Sequence, residues 1–315
     1  MNRPAFGLVA CAAVTLLAAP ARAEVTDQTC RLAWAQLSAR METTAETIVS
    51  GMRQPAHDGW CRVTRLVLDL PGAHQPDVHI DRLSVRGGMV DWLTGAEGAP
   101  GALELTATGL RLVADNGLVD DGPKAQVWPK TIDMAVSLRW DAEARLIEVE
   151  QLTLDLPGEN DIALFATLSG GQGLASLFSP PEALGLAVTE ARLSITSHGM
   201  FETHLLPAMA LAVVPGEDDV GAAAEALRVQ ALATIADLPA DSFPDATKDA
   251  LSRLVQELPR PAGRLNLAFH ANPGFGPVRF AGFALTGVPK SMAEAAPLFQ
   301  GVTVEAEWTH EAASE

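Results

Sequence analysis

From residue 62 onward, apolar side chains recur at every second position, and this alternation constrains the chain more than any other feature. The clearest stretch is 131–140, where Ile132, Met134, Val136, Leu138 and Trp140 share one parity. Thr131, Asp133, Ser137 and Arg139 share the other. A period of two places the two sets on opposite faces of a strand. Asp141-Ala142-Glu143-Ala144 then turns the chain into 145–156, which alternates in the same way, so the pair reads as a hairpin. Comparable stretches lie at 62–70, 77–86, 102–114, 161–169, 183–197, 263–271, 277–286 and 301–309. About ten strands with one apolar face each predict an antiparallel sheet solvated on one side.

Two helical regions interrupt that pattern. Over 27–52, Cys30, Trp34, Leu37, Met41, Ala45, Ile48 and Met52 recur at helical spacing, and Gly51 and Pro55 end the run. Within 200–259, Phe201, Leu205, Met209 and Val213 make one stripe, and Val220, Ala224, Leu227, Ala231 and Ile235 a second. A third helix opens at Ser242-x-x-Asp245 with Pro244 in its first turn, and carries Ala250, Leu251, Leu254 and Leu258. A short helix is expected over 290–298. The class is α+β: a twisted antiparallel sheet with an N-terminal helix and a helical insertion, in one domain spanning 24–315.

The sheet segments repeat. Leu66-Val67-Leu68-Asp69-Leu70-Pro71-Gly72 recurs as Leu152-Thr153-Leu154-Asp155-Leu156-Pro157-Gly158. Leu103, Leu105, Thr108, Arg111 and Leu112 match Leu184, Leu186, Thr189, Arg192 and Leu193. In both copies the alternation slips by one residue after the threonine, which predicts a β-bulge there.

Residues 1–23 carry Arg3, an apolar run over 5–19 and Ala21-Arg22-Ala23, the pattern of a cleaved secretory signal peptide. The run is shorter than the roughly 18 residues needed to cross a bilayer, so no transmembrane segment is expected after cleavage. Leu8-Val9-Ala10-Cys11 fits a lipoprotein box but stands too early in the apolar run to be used as one. Export to the periplasm is therefore expected. Of the three cysteines, Cys11 leaves with the signal, and Cys30 and Cys61 remain for a disulfide in an oxidising compartment.

The whole chain has a formal charge of −17, and the mature one, with 39 acidic against 20 basic side chains, −19. Such a balance argues against nucleic acid, and equally against adhesion to anionic membrane surfaces.

Signatures of catalysis are few. Leu168-Ser169-Gly170-Gly171-Gln172 reproduces the signature peptide of ABC-transporter ATPases, yet the chain has no G-x-x-x-x-G-K-[ST] loop. It reads as a Gly-rich turn after a strand. No G-x-S-x-G, S-x-x-K or H-E-x-x-H occurs. His74, Asp77, His79 and Asp81 are the one set with metal-ligand chemistry, since a strand over 77–81 would put Asp77, His79 and Asp81 on one face. A solvated strand face gives the same alternation, so no metal, cofactor or catalytic residue is assigned.

The signal peptide, the Cys30 helix and the L-x-L-D-L-P-G copies look like a family of uncharacterised secreted proteins of alphaproteobacteria. The meander Met134–Gly158 resembles the repeats of AsmA-like envelope proteins, a likeness covering about 62–200. That resemblance implies a curved sheet with an apolar groove and a role in lipid traffic or envelope homeostasis. This chain departs from the pattern in its length and in the helices expected after Gly199. The expectation is a non-catalytic periplasmic protein holding a lipid, another hydrophobic ligand or an envelope partner. A closed-core scaffold and a secreted hydrolase are the alternatives.

Overall fold

In the computed structural model, ten strands form one open antiparallel sheet in which spatial order equals chain order. The structure describes residues 25–45, 47–70, 77–94, 100–113, 131–177, 180–200, 220–281, 283, 287, 289 and 291–311. The strands are β1 (Ile48–Arg53), β2 (Cys61–Asp69), β3 (Asp77–Arg86), β4 (Ala102–Val113) and β5 (Ile132–Asp141). They continue as β6 (Leu146–Leu156), β7 (Asn160–Ser169), β8 (Ala187–His198), β9 (Ala262–Phe275) and β10 (Val302–His310). The signal segment 1–23 with Cys11, His74, and the stripe from Phe201 to Val213 lie outside the described residues.

Helices α1 (Asp27–Ala45) and α2 (Gly88–Leu93) precede β1 and β4. Helices α3 (Val220–Ala236) and α4 (Asp245–Gln256) lie between β8 and β9, where the insertion was expected. The short helix expected near 290–298 is present as turns over Met292–Ala295 and Ala296–Phe299.

Cross-strand registers carry one apolar face through the sheet. Leu83 pairs with Ala107, Leu105 with Val136, Met134 with Leu154, Leu164 with Leu193, and Leu267 with Ala306. Four buried clusters sit on it. Trp34 of α1 covers Val63, Leu66, Ile80 and Ala107, and Ala33, Val90 and Leu93 join α1 to α2. Leu174 and Leu186 close over Leu103, Leu138 and Ile147, and Ala250 of α4 packs on Leu265 and Trp308.

The bulges stand where the alternation slips. The β4–β5 register shifts between Ala107 and Leu110, and the β7–β8 register between Thr167 and Leu168, where Thr189 is the extra residue of β8. Gly109 takes φ +70° in the first, where a Cβ would meet the Asp81 carboxylate at 2.2 Å.

Several expectations are corrected. The N-terminal helix ends at Ala45, not near 52, and Ile48–Arg53 is β1. Thr47, Ile48 and Val49 form a β-branched run, which loses rotamer freedom in a helix and fits a pleated edge. Ile48 and Met52 accordingly stand 66% and 45% exposed, not on a packed helical stripe. The strand expected over 277–286 is replaced by a helical turn at Pro277–Phe280, while β9 runs on to Phe275. Pro277 has no N–H to give a ladder and its fixed φ suits a first turn. Similarly, 183–186 belongs to a turn and β8 starts at Ala187.

The start of α4 also differs from a capping box. The Ser242 hydroxyl donates to the Phe299 carbonyl, and its own carbonyl accepts from Val304 N–H at 2.8 Å. Thr247 Oγ1 donates to the Val304 carbonyl at 3.0 Å and accepts from Ala306 N–H at 3.1 Å. These groups satisfy the outer side of edge strand β10, which would otherwise offer a template for another chain. Thr247→Val removes both bonds at a site 2% exposed. A loss of about 2 kcal/mol is expected from the orphaned backbone groups, measured by urea unfolding, with concentration-dependent aggregation in light scattering.

Candidate functional site

The disulfide closes between Cys30 of α1 and Cys61 of β2, with Cα atoms 5.2 Å apart. It holds the first helix on the sheet beside the Ala33–Val90–Leu93 cluster.

The residues singled out for metal binding do not converge. Asp77 is buried at the start of β3, and Asp81 is held by Arg111, Nη1 to Oδ1 2.8 Å. His79 lies opposite Arg111 in the neighbouring strand. Among the described residues no three His, Cys, Asp or Glu side chains gather as metal ligands would. The guanidinium explains the pattern chemically: it takes the carboxylate that a cation would need.

Leu168–Gln172 is a turn that packing requires. Gly170 has φ +90°, and a Cβ there would stand 2.2 Å from the Gly185 carbonyl oxygen. A Cβ on Gly171 would press on Ile147 at 3.0 Å. Gln172 N–H donates to Ser176 Oγ, whose hydroxyl reaches Glu182.

Histidine–carboxylate contacts occur at His57–Asp58 (2.6 Å), His198–Glu311 (3.5 Å) and His310–Glu257 (3.1 Å). Among the described residues none of these imidazoles hydrogen-bonds a serine, threonine or cysteine side chain. Glu257 also accepts from Trp308 Nε1 at 2.9 Å, so that carboxylate ties α4 to β10.

What the sheet does form is two troughs on its polar face. The first, about 820 Å³, crosses β6–β10. Its floor is Ala163, Phe165, Asn266 and Ala268, and Phe165 is 48% exposed. Carboxylates flank it. Glu148 and Glu150 bind Arg139, whose guanidinium is held above its ordinary pKa by the Glu150 hydrogen bond first and the Glu148 charge second. Glu190 pairs with Arg192 at 2.9 Å. Glu305 and Glu307 on β10 have no cationic partner among the described residues.

The second trough, also about 820 Å³, lies over β2–β4 and has a different character. Arg62, Thr64, Arg82, Ser84, Thr106 and Thr108 line it, and the turn His57–Trp60 forms its wall. Asp58 and Gly59 have φ +52° and +74°, the Asp-Gly hairpin geometry, and His57 and Trp60 exchange backbone hydrogen bonds. Arg86 stacks on the Trp60 ring at 4.5 Å.

Sequence reasoning passed over both troughs. Asp58-Gly59 was the available signal for the second; the first had none, because its residues come from five strands whose order sequence does not show.

Among the described residues no helix is long and apolar enough to cross a membrane. No protein-family model matches the chain, and no curated protein matches it either.

Proposed function

We propose that the chain is an exported, non-catalytic binding protein of the cell envelope that holds the apolar body of a small ligand in the trough over β6–β10. The observation that carries this reading is the exposed Phe165 ring, with Ala163 next to it on the same strand face and Arg192 opposite it, in a trough flanked by carboxylates. Ligand sites are typically concavities of about 300–1,000 Å³ with apolar walls and a few placed polar groups. The signal-like N-terminus and the Cys30–Cys61 bridge support export to the periplasm. The L-x-L-D-L-P-G copies end β2 and β6, which supports a duplicated, twisted meander of the kind the AsmA-like resemblance implies.

The test is uptake of the environment-sensitive dye N-phenyl-1-naphthylamine by the mature protein, together with organic extraction and mass spectrometry. Bright saturable fluorescence is expected, falling at least fivefold in Phe165→Glu with unchanged circular dichroism. Dark protein, or equal uptake by the variant, removes the trough as the site.

A second reading, a scaffold for a protein partner, is favoured by α3. Leu227 and Val229 of that helix are 39% and 57% exposed.

A further inference from the structure

We infer that the trough over β2–β4 is a binding site for a phosphorylated small molecule or headgroup, whose phosphate is taken between Arg62 and Arg82. The registers place Arg62 opposite Ser84 and Thr64 opposite Arg82, so the two arginines are diagonal neighbours on one face of β2 and β3. Diagonal neighbours are about 7–8 Å apart, within reach of long side chains, and like charges on facing strands repel. Among the described residues neither guanidinium has a carboxylate partner. Three carboxylates on the same turn and strands have partners of their own: Asp58 contacts His57, Glu104 binds Arg86, and Asp81 binds Arg111.

Two unneutralised guanidiniums side by side therefore stand out in a chain of net charge −17. An anion between them reverses the sign of their interaction. A guanidinium fork matches phosphate oxygens in bidentate fashion. Around them the same face offers hydroxyls rather than carboxylates, from Thr64, Thr106 and Thr108. Gln54 Nε2 donates to Thr64 Oγ1 at 3.0 Å, which orients that hydroxyl.

The volume exceeds what a bare phosphate fills, and the wall supplies a surface for the remainder. Trp60 is half-buried and fixed by Arg86, which in turn is held by Glu104. A ring held in that way is a platform for a saccharide or glycerol moiety. The chemistry recognised is a phosphate ester on a polyhydroxy body, either free or as a lipid headgroup.

Glucose 1-phosphate is titrated into the mature protein by calorimetry at low ionic strength. Phosphatidylglycerol and phosphatidylcholine vesicles are compared by co-sedimentation. Saturable binding is expected to at least one phosphate source, weakened at least tenfold in Arg62→Gln/Arg82→Gln. Trp60→Ala should weaken it less, and Arg192→Gln, in the other trough, should leave it unchanged. Binding of glucose 1-phosphate without vesicles identifies a free ester; binding of phosphatidylglycerol vesicles without it identifies a headgroup. Absence of both, or binding that survives the double substitution, overturns the assignment. Because Trp60, Arg62 and Arg82 line only the trough over β2–β4 and Phe165 only the other, failure here leaves the dye result of the first trough standing, and the reverse.

Discussion

Replacing Cys61 by serine lowers the unfolding free energy of the protein by about 3–4 kcal/mol. The bridge closes a loop of 31 residues, and the chain-entropy relation for a loop of that length gives about that amount. The loss acts on both states. Without the bridge the unfolded chain gains freedom, and α1 keeps its contacts through Ala33, Leu37 and Trp34 and the hydrogen bond that Asp27 accepts from Ala56 N–H. Urea unfolding of oxidised wild type, reduced wild type and Cys61→Ser separates the contributions. Reduction should bring the wild type to the variant's midpoint and leave the variant unmoved. A wild type indifferent to reductant would show that the bridge does not form or does not stabilise.

Ile147→Ala is expected to cost about 3–5 kcal/mol, the upper range for a buried aliphatic truncation. Ile147 has no exposed surface and stands at the centre of Leu103, Leu138, Leu174 and Leu186. Its neighbours are poorly able to collapse into the space. Leu103 and Leu138 are fixed in paired strands, and the Gly170-Gly171 turn that rests on it is held by the approach of Gly170 to Gly185. Ile147→Val, which removes one methylene, should cost about 0.5–1.5 kcal/mol. Urea midpoints measure both. A ratio near one between the two variants would mean that the cluster repacks freely, contrary to the close contacts described.

The resemblance of Leu168–Gln172 to an ATPase signature finds its physical cause in the same place. Gly170 is needed because a Cβ there would clash with the Gly185 carbonyl oxygen, and a Cβ on Gly171 would press on the Ile147 side chain. Two glycines in a row are here a packing requirement, not a phosphate cradle.

Much of the sheet was legible because period-two alternation is local. β5, β6, β7 and β10 begin within two residues of the expected positions. The bulges at Thr108 and Thr189 were visible as slips of parity, since an extra residue must change the face of everything after it. The count of ten strands agrees only because two errors offset. Ile48–Met52 falls within the helix expected over 27–52 but belongs to β1, and Pro277–Phe280 falls within an expected strand but is a helical turn. In the first, spacing at Ala45, Ile48 and Met52 matched a helical stripe while side-chain branching favoured a strand. Pairing with β2 decided between them. The Ser242 hydroxyl was misassigned for a similar reason: a capping pattern is local, but the Phe299 carbonyl that claims it comes from 57 residues away.

The sequence alone determined the class of the molecule, the one-sided strands, the two bulges and the pairing partners available to Cys30 and Cys61. Each follows from parity, spacing or count along the chain. Only the tertiary structure decided that the meander keeps chain order across all ten strands, and hence which polar side chains meet. Glu148, Glu190 and Glu307 become the flanks of one trough, and Arg62, Arg82 and Thr106 the lining of another. The reason is that residues on one strand announce only which face they share. What stands beside them is set by register with strands tens of residues away.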